Sequence, residues 1–331
     1  MQETMNICLI SDNNFVNYLA TLIVSILKNS NEEDKFHFHI IEVDITDENK
    51  SKIIQLKEIK NCEISFYKST NIEKYKNISN IIKSKHTWHS WHYSVFLKLD
   101  IPFLFKDLDN ILFLDTDTIA IENINDVFSY DICNYYIAVQ YFPYKGIDND
   151  IPKVRDWLKS IGIKNPKNEY VSSIILYFNL KKIKEEIGLD NLEKHIDECM
   201  DKYSSTIFTE EHILMYLFNG KIGYNDFGCN IDANGGKLNT KIVHFIGTFK
   251  PLLKGYTGRE VKFYNKFWEY FTLTPFFRDN IFDYMNIFAM NKYKVTLYKL
   301  VDKIVWYIPT AKLRGRIREK MINKVNSMLD S

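Results

Sequence analysis

Asp115 and Asp117 stand two residues apart at the end of an apolar run, in the segment ILFLDTDTI (111–119). Such a run reads as a buried parallel strand whose C-terminal end delivers paired negative charge to a crevice. Residues i and i+2 of a strand share a face, so the two carboxylates are expected to point the same way. Like charges that close repel unless a cation separates them, and a divalent metal with hard oxygen ligands suits the place. The plainer alternative is a turn entry with solvated carboxylates.

A second stretch, VHFIGTFKPL (243–252), sets His244, Gly247 and Lys250 at three-residue intervals ahead of Pro251. Imidazole ligates transition metals that also accept carboxylates, glycine allows close backbone approach to a phosphate, and lysine offers it a compact positive charge. A histidine alone is more often structural. The glycine and lysine spacing, with Asp-x-Asp upstream, turns the reading toward a site.

Taken together, these motifs resemble the bacterial family 8 glycosyltransferases, which use nucleotide-sugar donors and retain anomeric configuration. The resemblance spans residues 5–270. The family's DxD matches Asp115-Thr116-Asp117. Its HxxGxxKPW matches His244, Gly247, Lys250 and Pro251, with Leu252 in place of Trp. Its nucleoside-contacting strand end matches Ile10-Ser11-Asp12-Asn13-Asn14-Phe15. Departures fall elsewhere: Ser172 and Ile174 stand where the family has Asn and Gly, Lys98 replaces an Arg, and Glu210-Glu211-His212 replaces Asp-Gln-(Asp/Glu).

The resemblance implies a UDP-hexose donor, glucose or galactose, and a glycan or lipid-linked glycan acceptor of the cell envelope. It assigns Asp115, Asp117 and His244 to a metal, manganese from the mixed N/O ligation, with magnesium as the alternative. It assigns Ser11, Asp12, Asn14, Lys98, Asp115, Thr116, Asp117, Ser172, Ser173, Gly247 and Lys250 to the donor. Glu210 and Glu211 become the candidate catalytic carboxylates. Retention through a covalent intermediate and retention by same-face attack both stay open.

The elements that must position these residues follow from periodicity. Strands are expected at 5–11, 35–43, 62–67, 111–114, 136–140, 174–178 and 242–245, and helices at 17–28, 46–56, 94–105 and 210–218. Residues 141–168, with Pro143, Pro152 and Pro166, read as a loop with a short helix. Alternating strands and helices imply an α/β fold with a mainly parallel sheet. The resemblance specifies it as the GT-A type, over residues 1–275, with an aromatic and basic helical appendage at 276–331.

At 331 residues with 46% hydrophobic content, the chain can bury a large core. Five scattered cysteines without a CxxC argue against a disulfide framework, and the N-terminus lacks a basic region before its apolar run. A cytoplasmic location is expected. A net charge of +1 conceals +7 over residues 292–331 against −6 elsewhere. With the apolar and aromatic residues of 298–308 and 312–324, that tail suits an anionic membrane surface at the inner face of the cytoplasmic membrane, with packing on the domain or a second subunit as the alternative. Nucleic acid is not expected, because the basic residues carry no recognisable binding fold. Residues 86–92 (HTWHSWH) could stack an acceptor sugar or simply pack. Two rivals remain: a haloacid dehalogenase-type phosphatase, whose Asp-x-Asp normally lies near the N-terminus, and a non-catalytic nucleotide-sugar binder.

Overall fold

The computed structural model describes residues 4–85, 92–207, 209–230, 240–247, 250–253 and 263–329. A seven-stranded sheet forms the centre. Its strands are β1 (Met5–Asp12), β2 (Phe36–Val43), β3 (Glu63–Tyr67), β4 (Asn110–Leu114), β6 (Ile137–Gln140), β7 (Ile175–Asn179) and β8 (Ile222–Asn225). They lie in the order β3-β2-β1-β4-β7-β6-β8. Only β7 runs against the others, pairing antiparallel with both β4 and β6. The remaining pairs are parallel. A small second sheet joins β5 (Thr118–Ala120), β10 (Ile242–His244) and β9 (Cys229–Asn230).

The central strands are apolar at nearly every position because both sheet faces are covered. Ile7, Leu9, Leu112 and Leu114 enter one core, while Cys8, Ile111 and Phe113 enter the other. The helix Val16–Lys28 buries eleven of its thirteen residues, more than one amphipathic face provides. It is sandwiched between the sheet and the helix Tyr264–Phe271, through the Tyr18 and Phe267 rings and a hydrogen bond from the Asn29 amide to the Tyr270 hydroxyl (2.9 Å).

Strand order places the crevice. The chain runs from β1 outward through β2 and β3, then returns to lay β4 on the other side of β1, and ligands of open α/β sheets bind outside the strand ends at such a reversal. The C-terminal ends of β1 and β4 carry Ser11 to Asn14 and Asp115 to Asp117.

One local expectation is corrected and one refined. Asp115 to Asp117 do not continue β4; they form a tight turn in which the Thr118 N–H donates to the Asp115 carbonyl (3.1 Å), so strand alternation does not aim their carboxylates. Residues 94–105 are helical as expected, wound as a 3-10 helix, Tyr93–Asp100, followed by one α-turn, Ile101–Leu104. Pro102 has no N–H for the Lys98 carbonyl, and the Ile101 N–H takes that acceptor with the tighter spacing. Further helices lie at Ile72–Lys85, Leu180–Glu186 and Leu189–Tyr203, where Lys- and Asn-rich composition masks sparse apolar stripes such as Tyr75, Ile78 and Ile82.

The chain closes with two long helices, Ile281–Trp306 and Ala311–Leu329. The first reaches back to the segment that follows β10. Asn291 is buried and donates to the carbonyls of Pro251 (3.4 Å) and Leu253 (3.3 Å) and to the Tyr264 hydroxyl (3.1 Å). Those carbonyls immediately follow Lys250. Asn291→Ala should therefore cost about 1–2 kcal/mol in urea denaturation.

Candidate active site

The site is assembled by three backbone couplings. The Asp115 N–H donates to the Ile174 carbonyl (3.0 Å), which fixes the approach to β7, and hence Ser172 and Ser173, beside the carboxylate turn. The Phe245 N–H donates to the Asp117 carbonyl (3.0 Å), and β10 pairs antiparallel with β5 so that His244 stands opposite Thr118. The helix Glu210–Leu217 begins at the same place, with Glu210 and Glu211 in its first turn.

Cations then interleave with carboxylates. Buried Lys98 places its Nζ 3.1 Å from Asp115 Oδ1 and 2.9 Å from Glu210 Oε1, donates to the Ser173 hydroxyl (2.9 Å), and stands over the Phe113 ring. Lys250 Nζ lies 2.6 Å from Asp117 Oδ2 and also donates to the Phe245 carbonyl (3.1 Å). His244 Nε2 is 3.2 Å from Asp117 Oδ1. One donor atom each from Asp115, Asp117 and His244 lie within 4.8 Å of one another. Two oxygens and one nitrogen at that spacing fit a single divalent cation, so the sequence-expected ligand set converges.

The four acids differ in how they are held. Burial would protonate Asp117, but His244 and Lys250 overcome it and keep its carboxyl well below the usual range. Burial raises Asp115, with Asp117 and Glu210 adding to the effect against Lys98 and His244. Burial also opposes ionisation of Glu210, yet Lys98, Thr209 and Ser173 hold it below its ordinary value. Both Glu210 oxygens are occupied, Oε1 accepting from Lys98 (2.9 Å) and the Ser173 hydroxyl (2.7 Å) and Oε2 from the Thr209 hydroxyl (2.6 Å). Glu211 is pushed up to about 7 by burial and by Glu210, against the Ser173 N–H, Lys98 and Tyr170. Burial would discharge Lys98, but Asp115, Glu210 and Glu211 keep it charged, well above the lysine range.

The remaining sequence-expected residues occupy the rim. Ser11 is buried, with its hydroxyl donating to the Asp12 carbonyl (2.9 Å). The Asp12 Oδ1 accepts from the backbone N–H groups of Asn14 (2.8 Å) and Phe15 (3.0 Å), so this side chain shapes the turn into the first helix. Phe15 links this rim to the Asp117–Lys250 pair, its ring lying 5.8 Å from Lys250 Nζ. Thr116 is half-buried in the carboxylate turn, and Ser172 is buried beside Ser173. Gly247 has φ +59°, a left-handed conformation that suits glycine. Of residues 86–92, read as stacking an acceptor sugar or simply packing, 86–91 lie outside the described residues.

The sequence model described as Glycosyl transferase family 8 matches residues 6–254. The chain belongs to this family. It is 26% identical to a "Putative glycosyltransferase" of Haemophilus influenzae over 267 residues, covering 80% of this chain and 73% of that protein. It is 24% identical to the "Lipopolysaccharide 1,2-glucosyltransferase" of Escherichia coli over 265 residues, covering 76% and 74%. Among solved structures, the galactosyltransferase LgtC in complex with donor and acceptor sugar analogs superposes with TM-score 0.66 at 17% identity, over 82% of this chain and 96% of that one. The bifunctional glycosyltransferase WbbM gives 0.64 at 18% identity over 87% of this chain, which spans about half, 52%, of WbbM. These neighbours establish the GT-A fold, and family membership sets the phosphatase reading aside.

Sequence reasoning missed Thr209, Tyr170 and Asn291. Thr209 before two glutamates reads as a helix cap, but its hydroxyl turns to Glu210 instead of to a backbone N–H. Glu211, its pKa raised from 4.5 to about 7, favours folding in its protonated form, a contribution that grows as pH falls through about 7 and levels off below 4.5. Glu211→Gln should thus raise stability at about pH 8 by on the order of 2–3 kcal/mol, a gain that vanishes toward acid pH in urea midpoints.

Proposed function

We propose that this glycosyltransferase is a metal-dependent, retaining hexosyltransferase that moves glucose or galactose from a UDP-sugar to a cell-envelope glycan. The supporting observation is the convergence of Asp115, Asp117, His244 and Lys250 at the strand-order reversal. The printed name of the Escherichia coli relative supports a lipopolysaccharide-type acceptor. A divalent cation, manganese or magnesium, held by Asp115, Asp117 and His244 would neutralise charge on the leaving diphosphate. Lys250 adds a fixed positive charge beside it, where it counters negative charge as the glycosidic bond breaks. Ser11, Asp12 and Asn14 take the nucleoside, and Gly247 lets backbone approach the diphosphate.

The two glutamates receive different work. Glu210 is saturated by Lys98, Ser173 and Thr209, and serves as the counterion that keeps Lys98 in place. Glu211, half-buried and pushed up to about 7, is the carboxylate assigned to the sugar. The rival reading, a binder without turnover, gains its support from the replaced 172–174 and 210–212 segments.

A manganese-dependent UDP-release assay over a panel of UDP-sugars separates the two. Slow hydrolysis of one donor, lost in Asp117→Ala and lowered about 10²-fold or more in Glu211→Gln, is expected. UDP binding by calorimetry without release from any donor, even when candidate glycan acceptors are supplied, would sink the enzyme reading.

The tail, 276–331, is assigned to peripheral attachment at the inner face of the cytoplasmic membrane. Among the described residues no helix is long and apolar enough to cross a membrane. The terminal helices instead expose Phe282 (83%), Trp306 (71%) and Tyr307 (86%) next to a charge of +7. Co-sedimentation with anionic vesicles should exceed that with neutral ones, weaken with salt, and fall in a Trp306→Ala, Tyr307→Ala double variant. Equal binding to neutral vesicles, or none to either, would remove this assignment.

A further inference from the structure

Lys250 is a long side chain on a short turn. The Leu253 N–H donates to the Lys250 carbonyl (3.1 Å), with Pro251 at the second position of the turn. From that root the Lys250 Nζ reaches Asp117 Oδ2 at 2.6 Å and the Phe245 carbonyl at 3.1 Å. A lysine stem is flexible, so where its ammonium rests depends as much on how the backbone is held as on what the tip meets.

Two side chains from distant helices hold that backbone. The Leu252 N–H donates to the hydroxyl of Tyr18 (3.1 Å), 234 positions earlier on the helix Val16–Lys28. Asn291, on the helix Ile281–Trp306, brings its Nδ2 to the carbonyls of Pro251 (3.4 Å) and Leu253 (3.3 Å). Both clamping residues are buried. The Tyr18 ring packs on Phe15 (5.4 Å between centroids) and Phe267 (5.5 Å), while Asn291 is itself fastened to the Tyr264 hydroxyl (3.1 Å). A hydrogen bond from the Asn17 amide to the Tyr284 hydroxyl (2.8 Å) joins the two helices, so both clamps ride on one connected frame. Asn291 lies beyond residues 6–254, which the family model matches. One of the two clamps is thus supplied from outside the family domain.

We propose that Tyr18 and Asn291 are positioning residues that hold the backbone of residues 251–253 and thereby fix the Lys250 ammonium where it meets the diphosphate of the donor. This rests on the assignment of Lys250 above.

The test measures binding by calorimetry to the full chain with manganese, using UDP and uridine as probes, with thermal melts as a check of folding. Lys250→Met should weaken UDP binding about 10-fold or more and leave uridine, which has no phosphate, within about 2-fold. Tyr18→Phe should weaken UDP about 3-fold and Asn291→Ala about 10-fold, again with uridine unchanged. Placed in the Lys250→Met background, each should have no further effect on UDP, because the clamps act through the lysine.

Folded Tyr18→Phe and Asn291→Ala proteins that bind UDP as the wild type does overturn the positioning role, each for its own residue, and leave the Lys250 assignment standing. An equal loss for UDP and uridine, or a loss of the same size in the Lys250→Met background, also overturns it, since either marks a general structural effect. A Lys250→Met protein that binds UDP as tightly as the wild type overturns the assignment itself, and the positioning role with it. Should Asn291→Ala fail to fold, Tyr18→Phe, which removes a single oxygen, decides by the same comparisons.

Discussion

Four carboxylates meet at the end of one sheet, and their mutual repulsion is the constraint that the rest of the structure answers. Asp115, Asp117, Glu210 and Glu211 would not share a partly dry crevice as bare anions. Lys98 answers for Asp115 and Glu210, while Lys250 and His244 answer for Asp117. Each cation has its own anchor. Lys98 is buried against Phe113 and Ser173, and Lys250 reaches the Phe245 carbonyl in a segment that the Asn291 amide fastens from the C-terminal helix. Removing a buried partner from such a lattice leaves an uncompensated charge, so the cluster constrains the fold as strongly as the fold constrains it.

Topology does the gathering. With β7 running antiparallel to β4, its N-terminal approach, and not its far end, lies beside the carboxylate turn. Ser173 can then contact Lys98 and both glutamates at once. The small sheet works similarly from the other side, since pairing of β10 with β5 draws His244 to Asp117 across 126 intervening residues. A doubly wound sheet without these two reversals would keep the carboxylate turn and lose Ser173 and His244 beside it.

The departures from the family pattern are coherent when seen together. Lysine at 98 lacks the planar fork of arginine, and it contacts a glutamate that reaches farther into the crevice than an aspartate would. Histidine at 212 does not enter the crevice at all; it is buried under Trp157 and bonded to Tyr170. Among the replaced positions, Lys98, Glu210 and Glu211 are joined through Ser173.

The sequence by itself determined the local features: the apolar strands, the helix 17–28, the α/β order and the Asp-x-Asp, His-x-x-Gly-x-x-Lys and Asp12-Asn13-Asn14 motifs, all written in spacing along the chain. Burial on both faces makes the central strands legible as unbroken apolar runs. The same spacing misjudged the Asp-x-Asp as strand, because a turn and a strand end carry similar residues, and it showed 94–105 as helical without the 3-10 winding, because the missing amide of Pro102 acts on a carbonyl four residues back. It could not separate Glu210 from Glu211, which are adjacent and chemically alike. Their difference comes from Lys98, Ser173 and Tyr170, brought from 37 to 112 positions away by the sheet, and a charge environment of that kind exists only once the chain has folded.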